Sequence, residues 1–224
     1  MKRYAIIVAG GTGQRMGATI PKQFLEIKKE VILMKSIRAF YLFDNDIHII
    51  VALPEDQMDY WQSLCKKNNF EIKHTLVKGG ETRFFSVKNA LNTITEDGIV
   101  AIHDGVRPLV SQETIERVFE IASINENAVP YIDIVDSVRE VGLNYNSAVD
   151  RNKVKLIQTP QAFRCKLIQQ AYNQPWGESF TDDASVFERM GKKINLVPGN
   201  RENIKITTQV DLILAEALSG YWSE

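Results

Sequence analysis

The sequence predicts an α/β fold, a mostly parallel twisted sheet with helices on both of its faces. Three observations predict it. Short runs that are apolar at nearly every position, rather than every second one, read as strands buried on both sides. Segments with apolar residues at helical spacing separate them. The glycine-rich and charged motifs follow the strand runs, at the carboxyl ends where such sheets bind ligands.

The elements come in this order. Tyr4–Ala9 is the first strand, and Ile32–Leu42 is a helix with Leu33, Ile37 and Phe40 on one stripe. Ile47–Leu53 is a strand, and Gln57–Asn68 and Ser86–Thr93 are helices. Ile99–His103 is the next strand, followed by a helix over Gln112–Ile124 that buries Ile115, Val118, Phe119 and Ala122. Ser111 is placed to cap that helix, but Thr114 stands where Glu or Gln would complete a capping box. Ala128–Ile134 is a further strand. From about Asp133 to Lys155 the chain turns polar, an excursion that reads as a hairpin arm outside the core. Val210–Leu218 closes the chain as a helix, with Val210, Ile213, Leu214 and Ala217 as its packing stripe. The chain is expected to form one domain over residues 1–224 with the arm as its only excursion.

Composition narrows the function. Hydrophobic residues make up 44% and charged residues 25%, enough apolar material for a full core. A net charge of -1 gives no general attraction for polyanions, so nucleic acid is not an expected partner. Phosphate chemistry has to come from a few placed cations. Cys65 and Cys165 lack metal-ligand spacing and are too few for a disulfide framework. The apolar run at Tyr4–Ala9 is too short for a secretory signal or for a membrane span of about 20 residues. A reducing cytoplasm, with no membrane partner, is the expected setting.

Three segments carry candidate chemistry. Gly10-Gly-Thr-Gly-Gln-Arg-Met-Gly17 follows the first strand, and Lys22 follows it closely. Converging backbone N–H groups there suit a phosphate, and Arg15 and Lys22 suit its charge; a plain strand-to-helix turn is the alternative. The Gly-Lys-Ser/Thr ending of a P-loop is missing. Met16 stands where a dinucleotide fingerprint needs its third glycine, and no Tyr-x-x-x-Lys is evident, which speaks against an NAD-dependent reductase. Gly79-Gly-Glu-Thr-Arg83 precedes a second helix start, with Arg83 and Ser86 on one helical face. His103-Asp-Gly-Val-Arg-Pro108 sets a carboxylate and a guanidinium beside a glycine, which suits a metal-triphosphate or anionic substrate, or else a salt-bridged turn. His103 reads as a hydrogen-bonded core residue. Thr159 offers a hydroxyl, Lys205 a further cation, and Thr181-Asp-Asp183 reads as a helix cap more readily than as a metal site. No Ser/His/Asp, Cys/His or HExxH arrangement is evident.

Together with Pro21-Lys-Gln-Phe24, Val149-Asp-Arg151, Thr159-Pro-Gln161 and Asn203-Ile-Lys-Ile-Thr207, these motifs resemble the cytidylyltransferases that act on polyol phosphates. The resemblance runs in order through almost the whole chain. It implies a Rossmann-like fold whose projecting β-arm clasps a second subunit in a homodimer. It also implies CTP bound with Mg²⁺, and attack of a polyol phosphate on the α-phosphorus with loss of pyrophosphate. By motif position, Ala9, Gly10, Gly11, Thr12 and Gly13 hold the nucleotide phosphates, while Gly80, Glu81, Arg83 and Ser86 line the cytidine pocket. Arg15, Lys22 and Lys205 are the catalytic cations, and Asp104 serves metal and substrate. Arg107 and Thr159 meet the polyol phosphate, and Ser137 and Arg151 reach it from the other subunit's arm. Val149-Asp-Arg151 favours methylerythritol phosphate, the acceptor in non-mevalonate isoprenoid synthesis. Ribitol 5-phosphate, whose enzymes share His-Asp-x-Val-Arg-Pro, is the alternative acceptor.

Overall fold

The computed structural model describes residues 1–10 and 20–221. Its elements in chain order begin with β1 (Lys2–Val8), a 3₁₀ turn at Lys22–Phe24, β2 (Glu26–Ile27), β3 (Glu30–Val31) and α1 (Ile32–Phe43). There follow β4 (His48–Leu53), α2 (Glu55–Lys67), β5 (Thr75–Lys78), α3 (Arg83–Leu91), β6 (Gly98–Asp104), α4 (Gln112–Asn125) and β7 (Asn127–Asp133). The rest are β8 (Val138–Val141), β9 (Asn146–Val149), β10 (Lys155–Ile157), β11 (Gln161–Arg164), α5 (Cys165–Ala171), α6 (Asp183–Glu188), β12 (Leu196–Pro198) and α7 (Gln209–Tyr221).

The main sheet runs β10-β7-β11-β6-β1-β4-β5, with β12 also paired to β7. β1 pairs parallel with both β4 and β6, and β4 pairs parallel with β5. β11 and β10 are the exceptions: β11 runs antiparallel to β6 on one side and to β7 on the other, and β10 runs antiparallel to β7. Alternate residues of β1 serve opposite faces, as a period of two requires. Ala5 and Ile7 join the core under α1, α2 and α4, while Tyr4, Ile6 and Val8 join the core under α3, α5 and α6. The mostly parallel sheet with helices on both faces is therefore the observed architecture.

The expected helices are present with shifted ends. The one expected from Ser86 starts at Arg83, directly after the glycine turn, and the one expected from Gln57 starts at Glu55 behind Pro54. Ser111 caps α4 by accepting from the Thr114 N–H at 3.2 Å. Thr181-Asp-Asp183 forms a cap: Asp182 and Ser185 make a complete capping box on α6.

The closing helix needs a correction. Its expected packing stripe is outside: Val210, Ile213 and Leu214 are 63%, 59% and 49% exposed. The inward face instead carries Leu212 and Ala215, against Ile27, Ile32, Val106 and Ile206. Both faces of this helix are apolar, so periodicity could not choose between them. Its first turn does choose, because one Asp211 oxygen accepts from the Thr207 N–H, the Thr207 hydroxyl and the Thr208 N–H. That fan of bonds sets the rotation of the helix.

Candidate active site

The carboxyl ends of β1 and β6 meet beside each other, Val8 paired with Asp104. The turn after β6 folds back so closely that the Gly105 N–H donates to the Val8 carbonyl at 2.8 Å. A Cβ on Gly105 would lie 3.0–3.2 Å from Leu33, Ala9 and Val8, so glycine is the residue that fits there without displacing its neighbours. At the start of α3, Gly80 has a similar role. A Cβ there would meet Phe85 at 2.3 Å, and its N–H donates to the Ser86 hydroxyl at 3.0 Å.

These turns enclose a cavity of about 270 Å³ at the carboxyl edge of the sheet. It gathers Ala9, Gly10, Lys22, Gly80, Glu81, Arg83, Ser86, Asp104 and Lys205 from motifs spread over the whole chain. Gly11, Thr12, Gly13 and Arg15 lie outside the described residues. A larger and more open groove of about 970 Å³ lies at the other end of β4 and β5 and has none of the motif residues in its walls.

Asp104 is the electrostatic centre. Its Oδ1 receives Arg83 Nε at 3.3 Å; its Oδ2 receives Arg107 Nε at 3.3 Å and Lys205 Nζ at 3.0 Å. Burial alone would raise this carboxyl, but the charges of Arg83, Lys205 and Arg107 outweigh it and hold it well below the usual carboxylate range. Asp104 is therefore an anion at any physiological pH. Lys205 arrives on a segment tied at two points to the turn after β6. The Asn203 carbonyl accepts from Arg107 at 2.8 Å, and the Ile206 N–H donates to the Val106 carbonyl at 3.0 Å.

Behind Asp104 sits a largely buried polar chain. The Arg107 carbonyl can only accept, so His103 Nε2 carries the proton that bridges the 2.9 Å between them. His103 Nδ1 then accepts from the Thr159 hydroxyl at 3.1 Å, whose oxygen accepts the Asp104 N–H at 3.0 Å. Burial pushes the imidazole down to about 4, so it stays neutral and is a strut rather than a base. The Thr159 hydroxyl is spent inside this chain and is absent from the cavity wall. Arg107, with its side chain 12% exposed, lies beside Asp104 rather than in that wall.

Ser137 and Arg151 lie together at the foot of the β8–β9 hairpin, Arg151 donating to the carbonyl of Val135, and neither lines this chain's own cavity. Sequence reasoning did not single out two residues that shape the site. Gln23 is fully buried and donates to the Ala9 carbonyl at 2.9 Å and to Gln57 at 2.7 Å, which anchors the turn carrying Lys22. Asp183 grips Arg83 through both of its oxygens, at 2.8 and 2.7 Å. Both stood inside recognised motifs, but only the folded chain shows whom they touch.

A cavity beyond the strand ends of a mostly parallel sheet, lined by Lys22, Arg83, Lys205 and the Asp104 carboxylate, is the kind of site in which α/β nucleotide-binding proteins hold phosphates. The family model for 2-C-methyl-D-erythritol 4-phosphate cytidylyltransferase matches residues 4–220. Relatives bearing that name include one from Phocaeicola vulgatus, 50% identical over 97% of this chain and 100% of its own length. Another, from Bacteroides fragilis, is 51% identical over the same shares. Among solved structures, 4-diphosphocytidyl-2C-methyl-D-erythritol synthase from Anaerococcus prevotii superposes with a TM-score of 0.84 at 29% identity, covering 98% of this chain and 96% of that one. The Thermus thermophilus 2-C-methyl-D-erythritol 4-phosphate cytidylyltransferase gives 0.79 at 29% identity, covering 98% and 100%. This chain belongs to the 2-C-methyl-D-erythritol 4-phosphate cytidylyltransferase family.

Proposed function

We propose that the chain transfers CMP from CTP to 2-C-methyl-D-erythritol 4-phosphate, releasing pyrophosphate, as a single catalytic unit over residues 1–224. The observation that carries the reading is the convergence of Lys22, Arg83 and Lys205 on the cavity around the Asp104 anion. Both reactants arrive negatively charged, so the reaction asks chiefly for positioning and charge neutralisation. An oxygen of the acceptor phosphate attacks the α-phosphorus, the α–β phosphoanhydride bond breaks, and its electrons leave on pyrophosphate. Lys22 and Lys205, with Arg15, stabilise the charge that gathers on the α-phosphoryl oxygens. The backbone from Ala9 to Gly13 holds the triphosphate, and Gly80, Glu81, Arg83 and Ser86 surround the cytidine. No protein nucleophile is required.

Asp104 fits a divalent cation such as Mg²⁺, which takes one or two carboxylates and completes its shell with phosphate and water oxygens. Among the described residues no cluster of three or more His, Cys, Asp or Glu side chains is placed to hold a metal ion. When bound, Mg²⁺ would offset charge on the triphosphate. Arg107 and Thr159 position Asp104.

The arm supports a second copy as partner. Val135, Val141, Leu143 and Tyr145 are 58–104% exposed, more apolar surface than a lone hairpin keeps in water. A homodimer would cover them and carry Ser137 and Arg151 to the neighbour's acceptor site. No helix among the described residues is long and apolar enough to cross a membrane; a cytoplasmic location goes with the use of CTP. Pyrophosphate release with CTP and each polyol phosphate tests the reading. Release with methylerythritol phosphate and little with ribitol 5-phosphate is expected; release with neither would overturn it.

A further inference from the structure

We infer that Asp183 is a positioning residue for nucleotide transfer: it holds Arg83 so that the guanidinium braces Asp104 instead of binding the triphosphate. The inference rests on the cavity being the CTP site.

Asp183 is the first residue of α6 and is fully buried. The cap of that helix does not use it, because Asp182 supplies the capping oxygen to the Ser185 N–H at 2.9 Å. Asp183 Oδ1 accepts from Arg83 Nη1 at 2.8 Å and from the Tyr172 hydroxyl at 2.6 Å, and Oδ2 accepts from Arg83 Nη2 at 2.7 Å. A buried carboxylate that the helix does not need is costly, and it is retained where a partner satisfies it on every side. Here the partner stands 100 positions away in the chain.

The geometry assigns it a task. A guanidinium is a rigid planar fork. With one hydrogen of each terminal nitrogen turned to Asp183, the Nε–H is left facing Asp104 Oδ1 at 3.3 Å. The pair is neutral as a unit, so the wall that Arg83 contributes carries no excess positive charge. Without the Asp183 charge, the fork would be released beside one carboxylate and an incoming triphosphate. It would chelate either of them, and the α-phosphorus would be held out of line.

A double-mutant cycle on the full chain tests this, read by pyrophosphate release, by CTP affinity from calorimetry, and by thermal unfolding. Asp183→Asn should lower kcat on the order of 10–100-fold while CTP binds as tightly as before or more tightly. In an Arg83→Gln background, Asp183→Asn should change kcat by less than about 2-fold, because Arg83 is the route of its effect. An equal loss of kcat in both backgrounds would overturn the inference, as would a folded Asp183→Asn enzyme with wild-type kcat. If Asp183→Asn does not fold, Tyr172→Phe loosens the same oxygen with little change of shape. It should lower kcat a few-fold at unchanged KM for CTP, and an unaltered kcat would overturn the inference. Wild-type enzyme separates the two levels: no pyrophosphate from wild type defeats the functional reading, whereas normal wild type with an uncoupled cycle defeats only the role of Asp183.

Discussion

The turn after β6 and the hairpin of β8 and β9 both carry proposed substrate residues, yet they are built in opposite ways. Asp104 is paired with Arg83, Arg107 and Lys205 of its own chain, and the hydrogen bonds behind it run through groups that are almost fully buried. On the hairpin, Leu143 is wholly exposed, Val141 is 76% exposed, and Arg151 donates to a carbonyl of its own arm. On the proposed reading, one half of the site is preorganised by the chain itself, and the other half is supplied by a second copy. Preorganised charge is what phosphoryl chemistry uses; an apolar arm is what an interface uses.

Variants at the two places should break in different ways. The largest effect is expected in the preorganised half. Lys22→Ala should lower turnover on the order of 10²–10³-fold with the fold intact by circular dichroism; near-normal turnover would remove Lys22 from the mechanism. In the arm, Arg151→Ala should cost roughly 10²-fold in kcat/KM for the polyol phosphate, with KM for CTP unchanged. Mixed subunits sharpen this further. Lys22→Ala and Arg151→Ala chains refolded together should regain about a quarter of wild-type turnover, since half of the pairs are mixed and each has one intact site. No recovery would show that Arg151 serves its own chain.

A third prediction concerns the buried strut. The folded value for His103 of about 4 lies below the ordinary value of 6.5, so the unfolded chain binds the extra proton. Stability from this group is complete above pH 6.5 and is lost as pH falls toward 4, by about 3 kcal/mol in all. Urea midpoints between pH 7 and 4.5 should fall, and His103→Gln should flatten that slope. His74, also lowered by burial, adds a smaller slope of the same sign that remains in the variant. An unchanged slope in His103→Gln would contradict the neutral strut. The smallest effect distinguishes the two faces of α7. Ile213→Ala on the outer face should alter stability by less than about 0.5 kcal/mol, while Ile206→Ala beneath the helix should cost about 2–5 kcal/mol.

Much of this was legible in the chain because the signals are local. The apolar runs of β1, β4, β6 and β7 and the stripes of α1 and α4 announce themselves, since a strand covered on both faces has no polar side to show. The motif residues of the cavity were legible for a related reason, as each follows a strand end. What stayed hidden depends on partners far off in sequence. β11 is only Gln161-Ala-Phe-Arg164, polar at both ends, and becomes a strand because β6 and β7 pair with it on either side. The Thr159 hydroxyl reads as a ligand until His103 and the Asp104 N–H are seen to occupy it. α7 presents two apolar faces, and the choice between them falls to Asp211, which periodicity does not register.

On the proposed function, this cavity joins a CMP unit to a polyol phosphate. Phosphorus NMR of a reaction containing the chain, CTP, Mg²⁺ and 2-C-methyl-D-erythritol 4-phosphate tests it most directly. The account predicts the coupled pair of diphosphate signals of a CDP-polyol together with free pyrophosphate. Unchanged CTP and acceptor signals with the folded wild-type chain would contradict it.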